Sequence, residues 1–295
     1  MNIQHLNLPK NPFGITTPLR YPGGKSSIAG FLSEVVDGGE SKISTYVEPY
    51  AGGAGAAISL LVNDKVENII INDFDPAVYC FWSSITKYPD RFIEKVINTE
   101  VTIEEWLNQR EIYRSCDMRS KFNLGFAFFF LNRCNRSGIV KGGVIGGLNQ
   151  DSGYKLDARF NKDALIKKIE VIKGLADRIT VSNLDGRSVI QRYRTQPQTL
   201  LYIDPPYVEQ GKSLYLNAFS KKDHKLLADS VTAHKSSNWI VTYDVADIIT
   251  SKECYGECNV YKYSLSYSAQ RKRTEFEYLI CSDSLLGVVT NYSME

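Results

Sequence analysis

Five short apolar runs, each ending in polar or turn-forming residues, constrain the fold of this 295-residue chain most strongly. Their length and their closing residues are typical of buried β-strands. The runs occupy residues 44–50, 67–75, 178–183, 199–207 and 238–244. Helical patterns lie between some of them, such as AGAAISLLVN after the first run and KKDHKLLADSVTAHK before the last. This alternation predicts an α/β fold with a mainly parallel sheet and helices on both faces.

Two further regions depart from this alternation. Near the end of the chain, NVYKYSLSYS and TEFEYLICSD are joined by the basic AQRKR, which is the pattern of a hairpin that adds antiparallel strands at the end of the sheet. Between residues 84 and 176, helical patterns, the aromatic FAFFFLNRCNR and the glycine-rich SGIVKGGVIGG replace the strands. We therefore predict an inserted, mainly helical domain at 84–176 within a domain formed by 1–83 and 177–295.

The fourth apolar run ends in Asp204, Pro205, Pro206 and Tyr207. Proline fixes its own φ and donates no backbone N–H, so the pair ends the strand in a rigid corner. A carboxylate and an aromatic ring are therefore presented with little backbone freedom at the carboxyl end of a buried strand. The purely structural alternative is a strand terminator that carries a solvated aspartate.

Composition limits the partners without identifying one. The formal net charge of +2 neither requires nor excludes nucleic acid, so the basic residues matter by their location in RYPGGK, NRCNRSGIVKGG, QRYR and SAQRKR. Six scattered cysteines and three histidines form no zinc pattern, so we expect reduced thiols and no metal. The sequence has neither a signal-peptide pattern nor an apolar run of membrane-spanning length, which predicts a soluble, cytoplasmic protein.

A glycine cluster follows the first predicted strand, in YVEPYAGGAG. Gly52, Gly53 and Gly55 permit a tight turn and close approach of the backbone to a ligand. Asp73 stands about 20 residues further on, where a carboxylate accepts hydrogen bonds from both hydroxyls of a ribose. Together these features predict a nucleoside ligand. A triphosphate is disfavoured, because RYPGGKS lacks the first glycine of a phosphate-binding loop.

With RYPGGK, EPYAGG, INDFDP and DPPY in this order, the chain resembles the DNA adenine methylase (Dam) family of S-adenosylmethionine-dependent methyltransferases. The resemblance spans the chain from about residue 18 to residue 281. It implies a Rossmann-like methyltransferase fold with a mixed seven-stranded sheet and an inserted target-recognition domain. It also implies a site-specific enzyme that moves a methyl group from S-adenosyl-L-methionine to N6 of an adenine in double-stranded DNA.

The resemblance implies a cofactor site at Tyr21, Lys25, Glu48, Pro49, Gly52, Gly53, Asp73, Phe74 and Asp185. The first two match an aromatic residue and a lysine that contact the cofactor, and the next four match the loop around its methionine part. Asp73 matches the acid at the ribose, and Phe74 and Asp185 match residues at the adenine. The family commonly has glycine two residues after Gly52, where this chain has Ala54. This difference leaves open which backbone N–H faces the methionine carboxylate.

The resemblance also implies a role for the rigid corner. An exocyclic amino nitrogen is a poor nucleophile, because its lone pair is delocalised into the base. Hydrogen bonds from that amino group to the Asp204 carboxylate and the Pro205 carbonyl would favour a pyramidal nitrogen whose lone pair points at the methyl sulfonium. Pro206 completes the rigid pair. Tyr207 would stack on a base swung out of the duplex, since the reacting atom is otherwise unreachable.

DNA contacts are expected at Arg133, Arg136, Ser137, Ile139, Lys141 and Lys272. The first of these closes an L-N-R segment of the family, and the next four fall where family members enter a base step and read the major groove. Lys272, in the hairpin loop, is expected to contact phosphate. For Arg136 and Lys141 the alternative is a solvated basic loop that contacts phosphate only.

Other functions use the same motif. A cytosine-N4 methyltransferase needs the same chemistry, and a catalytically idle DNA-binding relative would keep the fold; methylation of a protein glutamine or of RNA is less favoured. We expect a monomer that acts on prokaryotic or phage DNA. The residues do not specify the recognition sequence. They also do not show whether the enzyme is paired with a restriction enzyme, marks a genome on its own or serves a phage.

Overall fold

The computed structural model describes residues 3–14, 17–20, 25–39, 42–208, 219–234, 237–267 and 273–294. Within these ranges eight strands form one sheet, in the order β1-β7-β8-β6-β5-β2-β3-β4. The strands are β1 (Gln4–Leu6), β2 (Thr45–Glu48), β3 (Asn68–Asn72), β4 (Ile179–Ser182), β5 (Thr199–Ile203), β6 (Asn238–Asp244), β7 (Asn259–Tyr267) and β8 (Arg273–Cys281).

Ten α-helices are described around this sheet. They are α1 (Ala29–Gly38), α2 (Gly55–Val62), α3 (Pro76–Lys87), α4 (Pro89–Asn98), α5 (Ile103–Ser115), α6 (Lys121–Cys134), α7 (Lys162–Gly174), α8 (Gly186–Tyr193), α9 (Lys221–Thr232) and α10 (Leu286–Val289). Several begin after a polar side chain that caps the first turn. The Asp75 carboxylate accepts a hydrogen bond from the Ala77 amide at the start of α3, and the Asp185 carboxylate accepts one from the Arg187 amide at the start of α8.

The sheet is mixed, which confirms the predicted fold class. Strands β2 to β6 run parallel to their neighbours within that group, and β8 is antiparallel to both β6 and β7. The C-terminal hairpin is therefore present, but β8 inserts between β6 and β7 instead of extending the end of the sheet. The edge is formed by β1, an eighth strand that pairs in parallel with β7. Its three residues are too few to show an apolar pattern in the sequence.

Both faces of the central strands are buried. Successive side chains of a strand point to opposite faces, so a strand that is apolar throughout contributes to two cores. In β5, Leu200 and Tyr202 belong to the larger hydrophobic cluster, whereas Leu201 and Ile203 belong to the smaller one. This packing explains why the sequence shows continuous apolar runs.

The segment 84–176, all of which the structure describes, is mainly helical, as predicted. It shares the larger core with the sheet, because α6 packs directly on α3. A Cβ added at Gly125 of α6 would lie 2.5 Å from the Cys80 carbonyl oxygen of α3, so glycine permits this close approach. The predicted boundary at 84 falls inside α3, and the division into two domains stays a prediction.

None of the helices in the described ranges combines the length and the apolarity that a membrane span requires.

Candidate active site

Four predicted site acids lie at one edge of the sheet. Strands β2, β3, β4 and β5 run parallel, so their carboxyl ends meet at the same edge, where open α/β sheets bind ligands. Glu48 ends β2, Asp73 follows β3, Asp185 follows β4 by three residues and Asp204 follows β5. The fold therefore brings the predicted catalytic acid to the same edge as three predicted cofactor residues.

Asp204 lies beside a buried lysine. The Nζ atom of Lys25 is 3.3 Å from Asp204 Oδ1 and 3.1 Å from Glu277 Oε2. Lys25 also donates a hydrogen bond to the Tyr207 hydroxyl. The hydroxyls of Tyr207 and Tyr263 donate to the two Glu277 oxygens, at 2.6 Å and 2.5 Å. The site thus holds two carboxylates around one ammonium.

The Asp204 carboxylate is held by hydrogen bonds and is partly exposed. Thr242 donates to its Oδ1 atom at 2.9 Å, and the Thr242 and Tyr202 hydroxyls are hydrogen-bonded at 2.8 Å. Burial raises the Asp204 pKa to about 6; Lys25 opposes this shift and Glu277 adds to it. Burial lowers the pKa of Lys25, but the two carboxylates outweigh burial and raise it. The side chain of Asp204 remains 18 % exposed.

Sequence reasoning missed Glu277. It stands in β8 opposite Asp244 on one side and Tyr263 on the other, and it is buried. An acid in a terminal hairpin is expected to face solvent, but here β8 lies inside the sheet. The available signal was the apolar run from Tyr278 to Cys281, which marks a strand that is buried on both faces.

The strand ladder of β5 ends at Ile203, and the proline pair follows, as the sequence predicts. Pro205 and Pro206 are buried. The Tyr207 ring is 5 % exposed and lies beside Lys25, with Nζ 5.0 Å from the ring centroid. The backbone after it is fixed because the Val208 amide donates to Asp244 Oδ1 at 2.9 Å.

Hydrogen bonds fix the glycine turn after β2. Gly52 adopts a φ of +46°, and its amide donates to Asp73 Oδ2 at 2.8 Å. Its carbonyl accepts from Trp82 Nε1 at 2.9 Å, and the Gly53 carbonyl accepts from Thr17 Oγ1 at 2.7 Å. Ala54 has a φ of +43°, a left-handed conformation that favours glycine. This conformation accounts for the glycine that the family commonly has there.

Glu48 is buried below this turn. Its Oε1 atom accepts from the Tyr46 hydroxyl and the Ala57 amide, both at 3.1 Å. Burial raises the Glu48 pKa to about 8, and the nearby Asp204 carboxylate also raises it. Glu48 is therefore mainly a neutral acid at neutral pH.

The residues after β3 and β4 provide a more open surface. The Asp73 carboxylate is half-buried and accepts from the Gly52 and Asp75 amides, and burial raises its pKa to about 7. Phe74 is 55 % exposed, which is unusual for so large an apolar side chain. The Asp185 carboxylate pairs with Arg187 at 2.9 Å, and the side-chain hydrogen bond from Arg187 lowers its pKa.

A buried amide joins the loops after β2 and β4, and sequence reasoning missed it too. The Nδ2 atom of Asn72 donates to the carbonyls of Pro49 and Leu184, both at 2.9 Å. Its Oδ1 atom accepts from the Leu184 amide at 2.8 Å and from the Ser182 hydroxyl at 2.7 Å. Asn72 therefore holds Pro49 and the approach to Asp185 in fixed relative positions.

Four of the six predicted DNA contacts lie on a closed loop after α6. Asn135 Nδ2 donates to the carbonyls of Ile139, Val140 and Gly142 at 2.8–3.1 Å. Within this loop, Arg136 and Lys141 are exposed, Ser137 adopts a φ of +56°, and Ile139 is half-buried. The loop contacts the N-terminal segment, because Arg20 Nη1 donates to the Asn135 carbonyl at 3.2 Å. Asn132 of α6 also hydrogen-bonds both the amide and the carbonyl of Arg20, at 2.8 Å and 2.6 Å.

Arg133 is placed differently from Arg136 and Lys141. Its guanidinium donates to the Arg159 carbonyl and to the Pro18 carbonyl, the latter at 3.4 Å. The predicted contacts Tyr21 and Lys272 lie outside the described residues. In the described ranges, no group of three or more histidine, cysteine or acidic side chains is arranged to hold a metal ion.

Comparison with known proteins identifies the family. Residues 21–279 match the family described as D12 class N6 adenine-specific DNA methyltransferase. The type II methyltransferase M.MjaIII of Methanocaldococcus jannaschii is 23% identical over 220 residues, which cover 70% of this chain and 73% of that protein. The type II methyltransferase M.CviBI of Paramecium bursaria Chlorella virus NC1A is 22% identical over 212 residues, which cover 72% and 76%.

Among solved structures, the rRNA methyltransferase aviRa from Streptomyces viridochromogenes covers 90% of this chain and 88% of its own, at 12% identity. The TM-score of 0.37 is too low to support a structural argument. The family match covers most of the chain and contains the glycine turn, Asp73 and Asp204. The chain therefore belongs to the D12 class of DNA methyltransferases, which methylate adenine at N6, as the sequence resemblance predicted.

Proposed function

We propose that this methyltransferase takes its methyl group from S-adenosyl-L-methionine and transfers it to one adenine within a specific sequence of double-stranded DNA. The observation that carries the proposal is the position of Asp204. Its partly exposed carboxylate stands on a rigid corner, at the edge of the sheet that also presents Asp73 and Phe74. A methyl donor held at Asp73 would therefore lie near the acceptor that orients the adenine.

The residues after β3 fit the nucleoside part of the cofactor. Phe74 offers an exposed apolar ring for the adenine. Each Asp73 oxygen accepts one backbone amide, and a carboxylate oxygen has a second acceptor position for a ribose hydroxyl. The tight turn at Gly52 allows backbone to approach the methionine part. When bound, the cofactor supplies an electrophilic methyl group on a sulfonium.

Asp204 is arranged to orient an amino group. Within the described part of the chain, Lys25 and Thr242 both engage Oδ1, which leaves Oδ2 for the adenine N6. The second N6 hydrogen would be accepted by the Pro205 carbonyl on the same rigid corner. These two acceptors would favour the pyramidal nitrogen that attack on the methyl group requires. No covalent intermediate with the enzyme is needed.

The charge around Asp204 suits a cationic donor. With both carboxylates ionised, Lys25 neutralises only one of Asp204 and Glu277, so the site carries one net negative charge. A sulfonium nearby is stabilised by that charge, and the neutral product left after transfer is not. We assign Glu277 as a positioning residue, because it fixes Lys25 and the Tyr207 hydroxyl without lying on the β5 corner.

Tyr207 is proposed to stack on the target adenine after the base leaves the duplex. Its ring is only 5 % exposed, so the residues that cover it must move when the base enters. The Tyr207 hydroxyl stays anchored by Lys25 and Glu277 during such a movement. The hydroxyl edge of the ring therefore stays fixed, and one face of the ring becomes exposed when the base enters.

Residues 84–176 are proposed to form the target-recognition domain of a monomeric enzyme. The loop closed by Asn135 presents Arg136, Ser137, Ile139 and Lys141 to the DNA. A rigid loop with exposed cationic side chains can donate to base edges in the major groove. Lys272 is proposed to contact phosphate only.

The experiment is sequencing that detects modified bases, on DNA containing many short sequences, after incubation with the enzyme and S-adenosyl-L-methionine. We expect N6-methyladenine at one sequence and none when the cofactor is omitted. Lys141→Ala should change relative rates among near-cognate sites by about 1–3 kcal/mol at one base pair. Lys272→Ala should lower the methylation rate at all sites by the same factor. Methylation that is independent of sequence, or absent with this cofactor, would contradict the proposal.

A further inference from the structure

Four basic side chains gather where the N-terminal segment crosses the end of α6. They are Arg20, Arg133, Arg159 and Lys168. Three of them donate to backbone carbonyls of neighbouring segments: Arg20 Nη1 to Asn135 at 3.2 Å, Arg133 to Arg159 and Pro18, and Lys168 Nζ to Thr17 at 3.0 Å. Backbone contacts therefore hold three cationic heads in a fixed arrangement.

This cluster has no acidic partner in the part of the chain that the structure describes. None of the ion pairs found there includes any of the four residues. Burial, with smaller contributions from Arg20 and Arg159, lowers the pKa of Arg133 to about 10. Burial and Arg133 likewise lower the pKa of Lys168. The cationic side chains repel one another, and a bound anion would relieve this repulsion.

Donor capacity remains for such an anion. A guanidinium carries five N–H donors and an ammonium three. In the described structure Arg20 uses one side-chain donor and Lys168 uses one. Arg159 is exposed, and its side chain makes no hydrogen bond or ion pair within the described ranges. A guanidinium fork matches the oxygens of a phosphate group.

The cluster lies between the two proposed halves of the site. Thr17, which accepts from Lys168, donates through its hydroxyl to the Gly53 carbonyl in the glycine turn. Arg20 is held by Asn132, which also donates to the Gly138 carbonyl of the proposed recognition loop at 2.9 Å. An anion bound here would therefore lie beside both the glycine turn and that loop.

We infer that Arg20, Arg133, Arg159 and Lys168 form a phosphodiester-binding site that holds one strand of the DNA backbone between the glycine turn and the recognition loop. The inference rests on the proposed function for the direction in which the DNA lies. The site positions the duplex and reads no base. It gives Arg133 a phosphate contact.

The test compares Arg159→Gln and Lys168→Gln with Arg192→Gln. Arg192 is an exposed arginine in the last turn of α8, which starts at the carboxyl edge of the sheet and runs away from it. Binding to a fluorescent duplex is measured by anisotropy at several salt concentrations, on cognate and unrelated sequences. Calorimetry with S-adenosyl-L-methionine and thermal unfolding accompany each variant.

Arg159→Gln and Lys168→Gln should each reduce the slope of log K against log salt by about 0.9, and weaken binding at 0.1 M salt by about five- to tenfold on both sequences. Arg192→Gln should bind DNA with the slope and affinity of the parent enzyme. All three variants should keep the cofactor affinity and the thermal unfolding of the parent. An unchanged slope for Arg159→Gln overturns the inference. So does loss of cofactor affinity with DNA binding intact, because the cluster would then hold the methionine carboxylate. A parent enzyme that binds DNA in this way but does not methylate it would contradict the proposed function alone.

Discussion

The ammonium of Lys25 lies 3.3 Å from the Asp204 carboxylate. The resemblance placed the lysine in the cofactor site and the aspartate at the catalytic corner, so the structure joins residues that the sequence treated separately. Glu277 contacts the same ammonium at 3.1 Å. The ionisation of Asp204 is therefore coupled to a residue in a strand from the far end of the chain.

We expect the methylation rate to increase with pH through an apparent pKa near 6, because the ionised Asp204 carboxylate is a stronger acceptor for the amino group than the neutral acid, whose proton turns one oxygen into a donor. Glu277 is one cause of the raised Asp204 pKa. Glu277→Gln removes that negative charge, so the acidic limb should move to lower pH whatever happens to the maximal rate. Single-turnover rates from about pH 5 to about pH 8 measure the limb. Glu253→Gln, at an exposed acid, serves as the control, and a limb that stays in place or moves to higher pH contradicts the coupling.

Glu48 should destabilise the fold as pH rises. Its folded-state pKa of about 8 exceeds the ordinary value of 4.5, so the folded protein favours the neutral acid. The contribution of Glu48 to the free energy of unfolding is fully present below pH 4.5 and is lost as pH increases toward about 8. Glutamine cannot ionise and keeps an acceptor for Tyr46 and Ala57. The free energy of unfolding of Glu48→Gln relative to the parent should therefore rise by about 2–4 kcal/mol between pH 5 and pH 8. Chemical denaturation at both pH values checks this, with Glu253→Gln as reference; a constant or falling difference would rule it out.

Gly125→Ala should weaken the contact between α6 and α3. The added Cβ would meet the Cys80 backbone, which cannot rotate away as a side chain can. We expect a loss of about 1–3 kcal/mol in the free energy of unfolding. Gly174→Ala is the matched control, because a Cβ there meets nothing within 4 Å. Equal stability of the two variants would show that the helices are less closely packed than described.

Asp73→Asn should weaken cofactor binding by about 1–3 kcal/mol, because a charged acceptor for the ribose hydroxyls is lost. Both Asp73 oxygens accept backbone amides, so asparagine keeps only one of the Gly52 and Asp75 hydrogen bonds, and thermal unfolding of the variant checks that the turn survives. Asp75→Asn tests the neighbouring acid, which caps α3 and is not assigned to the cofactor. Calorimetry that gave equal affinities for the parent and Asp73→Asn would remove Asp73 from the site.

The sequence predicted the elements whose signal is local. Continuous apolar runs identified the central strands, and the proline pair identified the end of β5, because these effects operate within a few residues. Glu277, Asn72 and β1 depend on partners far along the chain, and periodicity carries no information about such pairings. Arg133 shows the same limit, since its neighbours Pro18 and Arg159 come from separate segments.

We propose that Asp204 acts on the reacting amino group and not on the cofactor. The most direct measurement pairs turnover on cognate DNA with calorimetric affinity for S-adenosyl-L-methionine, in the parent and in Asp204→Ala. Lys25 keeps its contact with Glu277 in the variant, so the fold should survive. Thermal unfolding of the variant serves as the check. We expect Asp204→Ala to reduce turnover by orders of magnitude and to leave cofactor affinity roughly unchanged. Lost cofactor binding in a folded variant, or turnover near that of the parent, would contradict it.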